Sequence, residues 1–365
     1  MTTVAATLDL AFKPDAAAAC KRMEAWWDGA ILDRPAIHLT APRPNPRPLP
    51  VKQHTTLRDR WMDKEYVLVC AEVAIANTYW AGDALPTFWP NLGPEVLTAC
   101  MGAELEFGES TTWSVPKLHN WDGIPELKIN PDNIYTRTLL DLLRMATQKG
   151  KGKYVVGLTD IHPGADLAAS FRDPRQLNFD LKDAPEQVHA LTKQLLPTFF
   201  DFYELQRQIL LEAGQTLTTS WLPLFDTKGR YYIPSCDFSI MISNKMFREF
   251  FLPEILAEIE WLDRSIYHLD GPGALWHLDT LLEIKKLDAI QFVYGDGAAP
   301  ASGWIEVYQK IQNAGKKIHV SITPDELDFF MNNLNPEGVM LSMSAGSIEE
   351  ADAILMKISS WTRKQ

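Results

Sequence analysis

His268 and Asp270 stand two residues apart in Ser265-Ile-Tyr-His-Leu-Asp-Gly-Pro-Gly273, where a short apolar run gives way to glycine and proline. On an extended strand, residues two apart point the same way, so the imidazole and the carboxylate are aimed together. A His and a carboxylate delivered from the end of a buried strand suit metal ligation or acid–base work. The plainer reading is a buried His–Asp hydrogen bond that orders the turn. Two further runs end in similar chemistry, which favours a site. Ala289-Ile-Gln-Phe-Val-Tyr-Gly295 offers Gln291 and Tyr294, and Tyr154-Val-Val-Gly-Leu-Thr-Asp-Ile-His162 offers Asp160 and His162.

These runs belong to a regular series. The pattern predicts strands near 36–40, 84–88, 154–162, 215–221, 265–269, 289–294, 317–322 and 338–343. Helical periodicity falls at 15–29, 58–80, 184–213, 244–262, 274–284, 303–314, 325–333 and 348–361. Strand and helix in alternation mean parallel βαβ units, and eight of them close a (β/α)8 TIM barrel. Chemistry in such a barrel sits at the carboxyl ends of the strands. Those ends read Trp89, Asp160, His162, Trp221, His268, Asp270, Gln291, Tyr294, Ser342 and Ser344. Cys236 and Asp237 fall in an added segment, Arg230-Tyr-Tyr-Ile-Pro-Ser-Cys-Asp-Phe-Ser239. The expectation is a single domain over 1–365, with helices, a proline loop and the first strands in 1–150 and regular βα units in 151–365. The loop, Ala41-Pro-Arg-Pro-Asn-Pro-Arg-Pro-Leu-Pro50, can be neither helix nor central strand. It should run extended over the fold, with the mouth of a site as one place for it.

Composition narrows the function classes. With 46% hydrophobic and 22% charged residues, the chain reads as an ordinary soluble globular protein. Its net charge of −12 is spread along the sequence, against nucleic acid or an anionic membrane as partner. Arg34, Arg43 and Arg47 read as solvated loop charge. No run of about 18 apolar residues is present, and the amino terminus lacks the positive start and apolar core of a signal peptide. Cys20, Cys70, Cys100 and Cys236 are far apart, against a disulfide framework or zinc ribbon. A reduced, cytoplasmic protein is expected. No dinucleotide fingerprint, P-loop or serine nucleophile elbow occurs, so nucleotide-dependent and serine-hydrolase readings are set aside.

Several segments resemble the uroporphyrinogen decarboxylase superfamily, and in particular its corrinoid-linked methyltransferases. They are Ile31-Leu-Asp-Arg-Pro35, Gly82-Asp-Ala84, Val155-Val-Gly-Leu158, Arg172 to Asp180, Asp183-Ala-Pro-Glu186, Met241 to Pro253, His268-Leu-Asp-Gly271 and Asp288-Ala-Ile-Gln291. Ile242-Ser243, Phe247, Phe250 and Pro253 carry the most specific pattern, which marks fold and not reaction. The resemblance implies one uroporphyrinogen decarboxylase-like barrel with its pocket at the strand carboxyl ends, and a homodimer is compatible with it. The arginine-rich motif that goes with uroporphyrinogen decarboxylation is missing from Arg34-Pro-Ala-Ile-His-Leu-Thr-Ala41. Thiol-methylating members are similar in a His-x-Cys motif and a distant Cys that hold zinc. Here the motif is His268-Leu-Asp270, and Ser342 or Ser344 takes the distant place. Asp ligates zinc through oxygen, so His268 and Asp270 with Cys236 or Asp237 remain a candidate zinc site.

The resulting expectation is an enzyme that demethylates a small methoxylated or N-methylated compound and passes the methyl group to a corrinoid on a separate carrier protein. His268, Asp270, Asp237 and Asp160 are the catalytic candidates, with His268, Asp270 and Cys236 as metal ligands. Trp89, His162, Trp221, Gln291 and Tyr294 are the substrate-binding candidates. Asp160-Ile-His-Pro-Gly164 is close to the motif by which corrinoid proteins ligate cobalt, but its glycine comes one position early. His162 therefore lines the pocket or caps the next helix. Trp80, Trp89, Trp113, Trp221 and Trp304 fall near loops, where ring faces attract cations, although core packing explains any one of them. His277 reads as a surface or packing residue, and the facing of His319 stays open. Two alternatives stand beside this reading: a decarboxylase or lyase of a small acid on the same barrel, and a non-catalytic barrel that binds a partner protein.

Overall fold

The computed structural model describes residues 8–295 and 297–361. The first seven residues, on which much of the signal-peptide argument rests, and Asp296 of the Gly295-Asp-Gly297 turn lie outside them. Among the described residues, no helix is long and apolar enough to cross a membrane. The first strands are β1 (Ala36–Pro42), β2 (Thr78–Gly82), β3 (Thr87–Phe88), β4 (Leu105–Phe107), β5 (Thr112–Ser114) and β6 (Val155–Val156). They are followed by β7 (Thr218–Thr219), β8 (Phe225–Asp226), β9 (Tyr231–Tyr232), β10 (Arg264–Asp270), β11 (Ala289–Val293), β12 (Lys317–Ser321) and β13 (Val339–Ser344).

Seven strands form the central sheet in the order β2-β1-β13-β12-β11-β10-β9. All its neighbours are parallel except β1 and β2. The pleat sorts the residues with a period of two. Ile37, Leu39, Tyr267, Leu269, Ile290, Phe292, Ile318, Val320, Leu341 and Met343 enter the large apolar core. Ala36, Ile266, Ala289 and Met340, near the amino ends of their strands, enter a second cluster with the helix Ala16–Trp27. That helix is alanine-rich, which favours helix, and buries Ala16, Ala19, Cys20, Met23, Trp26 and Trp27. Trp27 Nε1 donates to the Phe225 carbonyl at 2.9 Å. One end of the sheet is thus plugged. The carboxyl ends are left for chemistry.

The expected closed ring of eight strands is not formed as one continuous ladder. β3 and β6 make a separate parallel pair, β7 and β8 a separate antiparallel pair, and β2 runs antiparallel at the sheet edge. The segments at 154–162 and 215–221 supply only two ladder residues each. Side chains replace ladder partners there. Gln215 exchanges hydrogen bonds with both backbone groups of Val156, Gln206 Oε1 accepts from Thr159 N, and Ser220 Oγ donates to the Leu158 carbonyl. Single backbone bonds, Gly157 N to Phe88 O at 2.7 Å and Leu158 N to Thr219 O at 2.8 Å, carry the connection across.

Other boundaries also move. The helix expected at 58–80 breaks into Leu57–Met62 and Lys64–Asn77, because Asp63 caps the second by accepting from Tyr66 N. The helix expected at 244–262 contains an i→i+5 turn over Phe247–Phe251 ahead of Pro253. Ser243 accepts from Met246 N while Phe247 and Phe250 are buried, so these residues serve the folding of this segment. The proline segment, expected to lie outside any central strand, begins with Ala41 and Pro42 still in β1, then leaves the sheet through a bend at Asn45 (φ +56), and Arg47 N and O bond the Asn77 amide.

Arg34 is not solvated loop charge. Its guanidinium is buried and meets Asp83 through two bonds, of 2.7 and 3.0 Å. Asp83 also accepts from Arg22 and from Ile37 N. Residues 34 and 83, 49 positions apart, therefore meet as one ion pair, and Arg172 with Asp180 makes a second at 2.6 Å. Gly82, beside Asp83, has φ +59, and a Cβ there would fall 2.7 Å from the Ile37 carbonyl oxygen. Gly82→Ala should cost roughly 1–3 kcal/mol in urea unfolding, since both the dihedral and the space oppose a side chain.

Candidate functional site

Six ionisable side chains from four segments converge at the carboxyl ends of the strands. β10 supplies His268 and Asp270 from the same side of the strand, with a parallel bridge between Ser235 and His268 and a bond from His268 N to the Pro234 carbonyl. That bridge extends the course of β9 and brings Asp237 beside β10. The segment after β6 supplies Asp160 and His162. The Tyr232 hydroxyl pins it by donating to the Thr159 carbonyl and accepting from Ile161 N. Asp166 comes from the first turn of the helix Gly164–Arg172. Its two oxygens accept from Asp237 N at 2.9 Å and Phe238 N at 2.8 Å.

The ligand atoms fall into two sets, each within 4.8 Å: His162, Asp166 and Asp237, and Asp237, His268 and Asp270. Asp237 belongs to both. Cys236, expected as a third ligand for His268 and Asp270, joins neither set. Its side chain lies in the apolar core, and burial followed by the Asp166 and Asp237 charges pushes the thiol well above its usual range. A thiol that stays protonated is a poor ligand. Asp237 stands in its place.

The site is negative. Burial by itself would lower the His162 pKa, but Asp160 at 3.2 Å, Asp237 at 3.7 Å and Asp166 at 4.0 Å outweigh it and raise it to about 10. Burial, then the Asp237 charge, raises Asp166 to about 7 against the pull of His162 and the two backbone donors. Burial and Asp237 also raise Asp270, with His268 and His162 opposing. A cleft of about 270 Å³ opens beside the first set, lined by His162, Asp166, Asp237, Phe238, Ile240 and Met241 among others.

His268 is oriented from behind. Its Nδ1 lies 2.7 Å from Gln291 Oε1, its register partner on β11, and the Trp221 ring stands edge-on at 5.2 Å. An amide oxygen can only accept, so Nδ1 carries a proton, and Nε2 is the nitrogen left to ligate a metal. Gln291→Leu should release this tautomer and weaken metal binding about 10–100-fold in a competitive chelator titration. Next to Gln291, His319 faces Ser342, with Nε2 at 2.7 Å from the hydroxyl, and burial lowers its pKa to about 3. Ser344 meets Thr40 at 3.1 Å at the exposed end of β13.

The chain has the fold of a known methyltransferase. A methyltransferase from Methanosarcina mazei matches it with a TM-score of 0.59 and 11% sequence identity, over 93% of this chain and 98% of that one. At that identity the likeness concerns the fold. No known family profile matches the chain, and no curated protein matches it.

The remaining candidates are placed by their packing. Trp89 packs its Cβ against Gly157, and Tyr294 packs on the core. Trp80 and Trp304 do the same, while Trp113 is exposed. His277 is a packing residue, buried against Phe247 with Nε2 at 3.0 Å from the Ser239 carbonyl. Asp166 was not among the expected site residues. Its signal is the i, i+4 spacing of His162 and Asp166 across Pro163-Gly164, where a helix begins.

Proposed function

We propose that the protein is a methyltransferase that demethylates a small methoxylated or N-methylated compound and passes the methyl group to a corrinoid on a separate carrier protein. The observation that carries this reading is the convergence of His268, Asp270 and Asp237 at the strand ends of a methyltransferase fold. The donor set fits a divalent cation such as zinc: one imidazole nitrogen with its tautomer held, and two carboxylates. A bound cation supplies Lewis acidity to the oxygen or nitrogen that parts from the methyl group. Asp237, His268 and Asp270 would hold that cation beside Trp221, which stands against the His268 ring. The heteroatom would keep its bonding electron pair and take up a proton from solvent, and the carrier's reduced corrinoid would supply the electron pair for the new bond to the methyl group.

The same reading takes the sheet as a (β/α)8 barrel in a single domain, with the isolated backbone bonds around Gly157 and Leu158 standing for its thin wall. The negative site favours a neutral or cationic methyl donor. No arginine or lysine lines the cleft among the described residues, which counts against a small organic acid as substrate. A non-catalytic barrel would have no use for so many carboxylates at one rim.

The test is to mix the purified protein with a carrier holding reduced cobalt and a panel of O-methyl and N-methyl compounds, following the cobalt spectrum. Methylation with at least one donor is expected, and His268→Ala should slow it by about 10²–10⁴-fold with the fold intact. An unchanged spectrum across the whole panel would sink the reading.

A further inference from the structure

We propose that the site holds two divalent cations bridged by Asp237, one on His162, Asp166 and Asp237 and the other on Asp237, His268 and Asp270. This deepens the methyl-transfer reading, which needs only the second position.

Three observations carry it. The first is the shared carboxylate. Asp237 is the one member common to both ligand sets. One of its oxygens, Oδ2, lies 3.7 Å from His162 Nδ1, while Oδ1 is buried without a hydrogen-bond partner. A carboxylate with two such oxygens can serve two ions at once.

The second is the treatment of both imidazoles. His268 Nδ1 has an acceptor, Gln291 Oε1, at 2.7 Å, and His162 Nε2 lies 3.2 Å from Asp160 Oδ1 in an ion-pair contact that leaves this buried oxygen without a hydrogen bond. Metal-binding histidines are held in this way, the rear N–H facing a carboxylate or amide oxygen. His162 Nδ1 then faces Asp166 at 4.0 Å and Asp237 at 3.7 Å. Those gaps are too long for hydrogen bonds. They approach the spacing of two donors that share one ion at about 2.1 Å each.

The third is charge. Four carboxylates, Asp160, Asp166, Asp237 and Asp270, meet two imidazoles, and no lysine or arginine lines the cleft beside them among the described residues. Cations of charge two would balance the cluster. Mixed nitrogen and oxygen donors select zinc, manganese, iron or cobalt over calcium and magnesium. Ions about 3.5–4 Å apart clamp two oxygens of a substrate, so a methyl donor with a second oxygen beside its methoxyl group suits the centre.

The experiment strips the full chain with a chelator, reloads it with zinc or manganese, and measures metal per chain by elemental analysis and calorimetry. Two ions per chain are expected for the wild type and one for either Asp166→Asn or His268→Ala. Asp160→Asn should weaken one ion at least tenfold and spare the other. The manganese form should show exchange coupling by electron paramagnetic resonance, lost in the one-ion variants. Wild-type stoichiometry and coupling decide the matter even where a variant fails to fold. One ion or none per chain at saturation overturns the proposal. Two ions without methyl transfer would sink only the methyltransferase reading, and methyl transfer with one ion would sink only this one.

Discussion

Asp83→Asn is expected to lower the stability of the protein by about 3–5 kcal/mol, the usual cost of removing one partner from a buried ion pair. Asp83 and Arg34 are both buried, and Asp83 accepts from Arg34 at 2.7 and 3.0 Å, from Arg22 at 3.2 Å and from Ile37 N at 3.0 Å. The amide keeps one acceptor oxygen but turns an NH2 group toward a guanidinium that has lost its counter-charge. Arg34 precedes β1 and Asp83 follows β2, so the pair ties the start of β1 to the end of the edge strand β2 beside it. Urea unfolding measures the loss. Replacing both residues with apolar ones of similar size should cost less than the sum of the single changes, because neither charge is then stranded. A loss below about 1 kcal/mol for Asp83→Asn would show that the pair is solvated.

Glu254→Gln should stabilise the protein at pH 8 and do little near pH 4. Both Glu254 oxygens are buried without a hydrogen-bond partner, and burial raises its pKa from 4.5 to about 8. The folded chain therefore holds a proton that the unfolded chain gives up above about pH 4.5. Stability is full below pH 4.5 and falls as pH rises through about 8. At about 1.4 kcal/mol per pH unit, the loss across that window is roughly 5 kcal/mol. Glu258, raised well above its usual range by burial and then by Glu254 and Asp166, adds to the same slope. Glutamine has no proton to lose, so the variant should flatten the curve of unfolding free energy against pH. An unaltered slope between pH 5 and 8 would mean that solvent reaches the carboxylate.

β10, β11, β12 and β13 were legible because their pleat alternates apolar residues against the helices with the inner face that bears His268, Gln291, His319 and Ser342. Period-two alternation is local, and so is the aim of His268 and Asp270 to one side. The short strands β3, β6 and β7 resisted the same reading. Gln206, Gln215 and Ser220 take over their backbone partners there, and such substitutions leave no periodic trace. Arg34 looked like loop charge because its partner lies 49 positions along the chain.

From local pattern alone, this chain declares parallel βα units with an imidazole and a carboxylate leaving one strand together. Its choice of Asp237 over Cys236, and the arrival of Asp166, depended on how distant segments pack. Adjacent residues 236 and 237 differ in surroundings because the turn after β9 sends the thiol into the apolar core and the carboxylate toward the cleft. Which of two neighbours faces a site is set by the path of the backbone. That path is held by bonds such as those from Asp237 N and Phe238 N to Asp166, made across 71 and 72 positions.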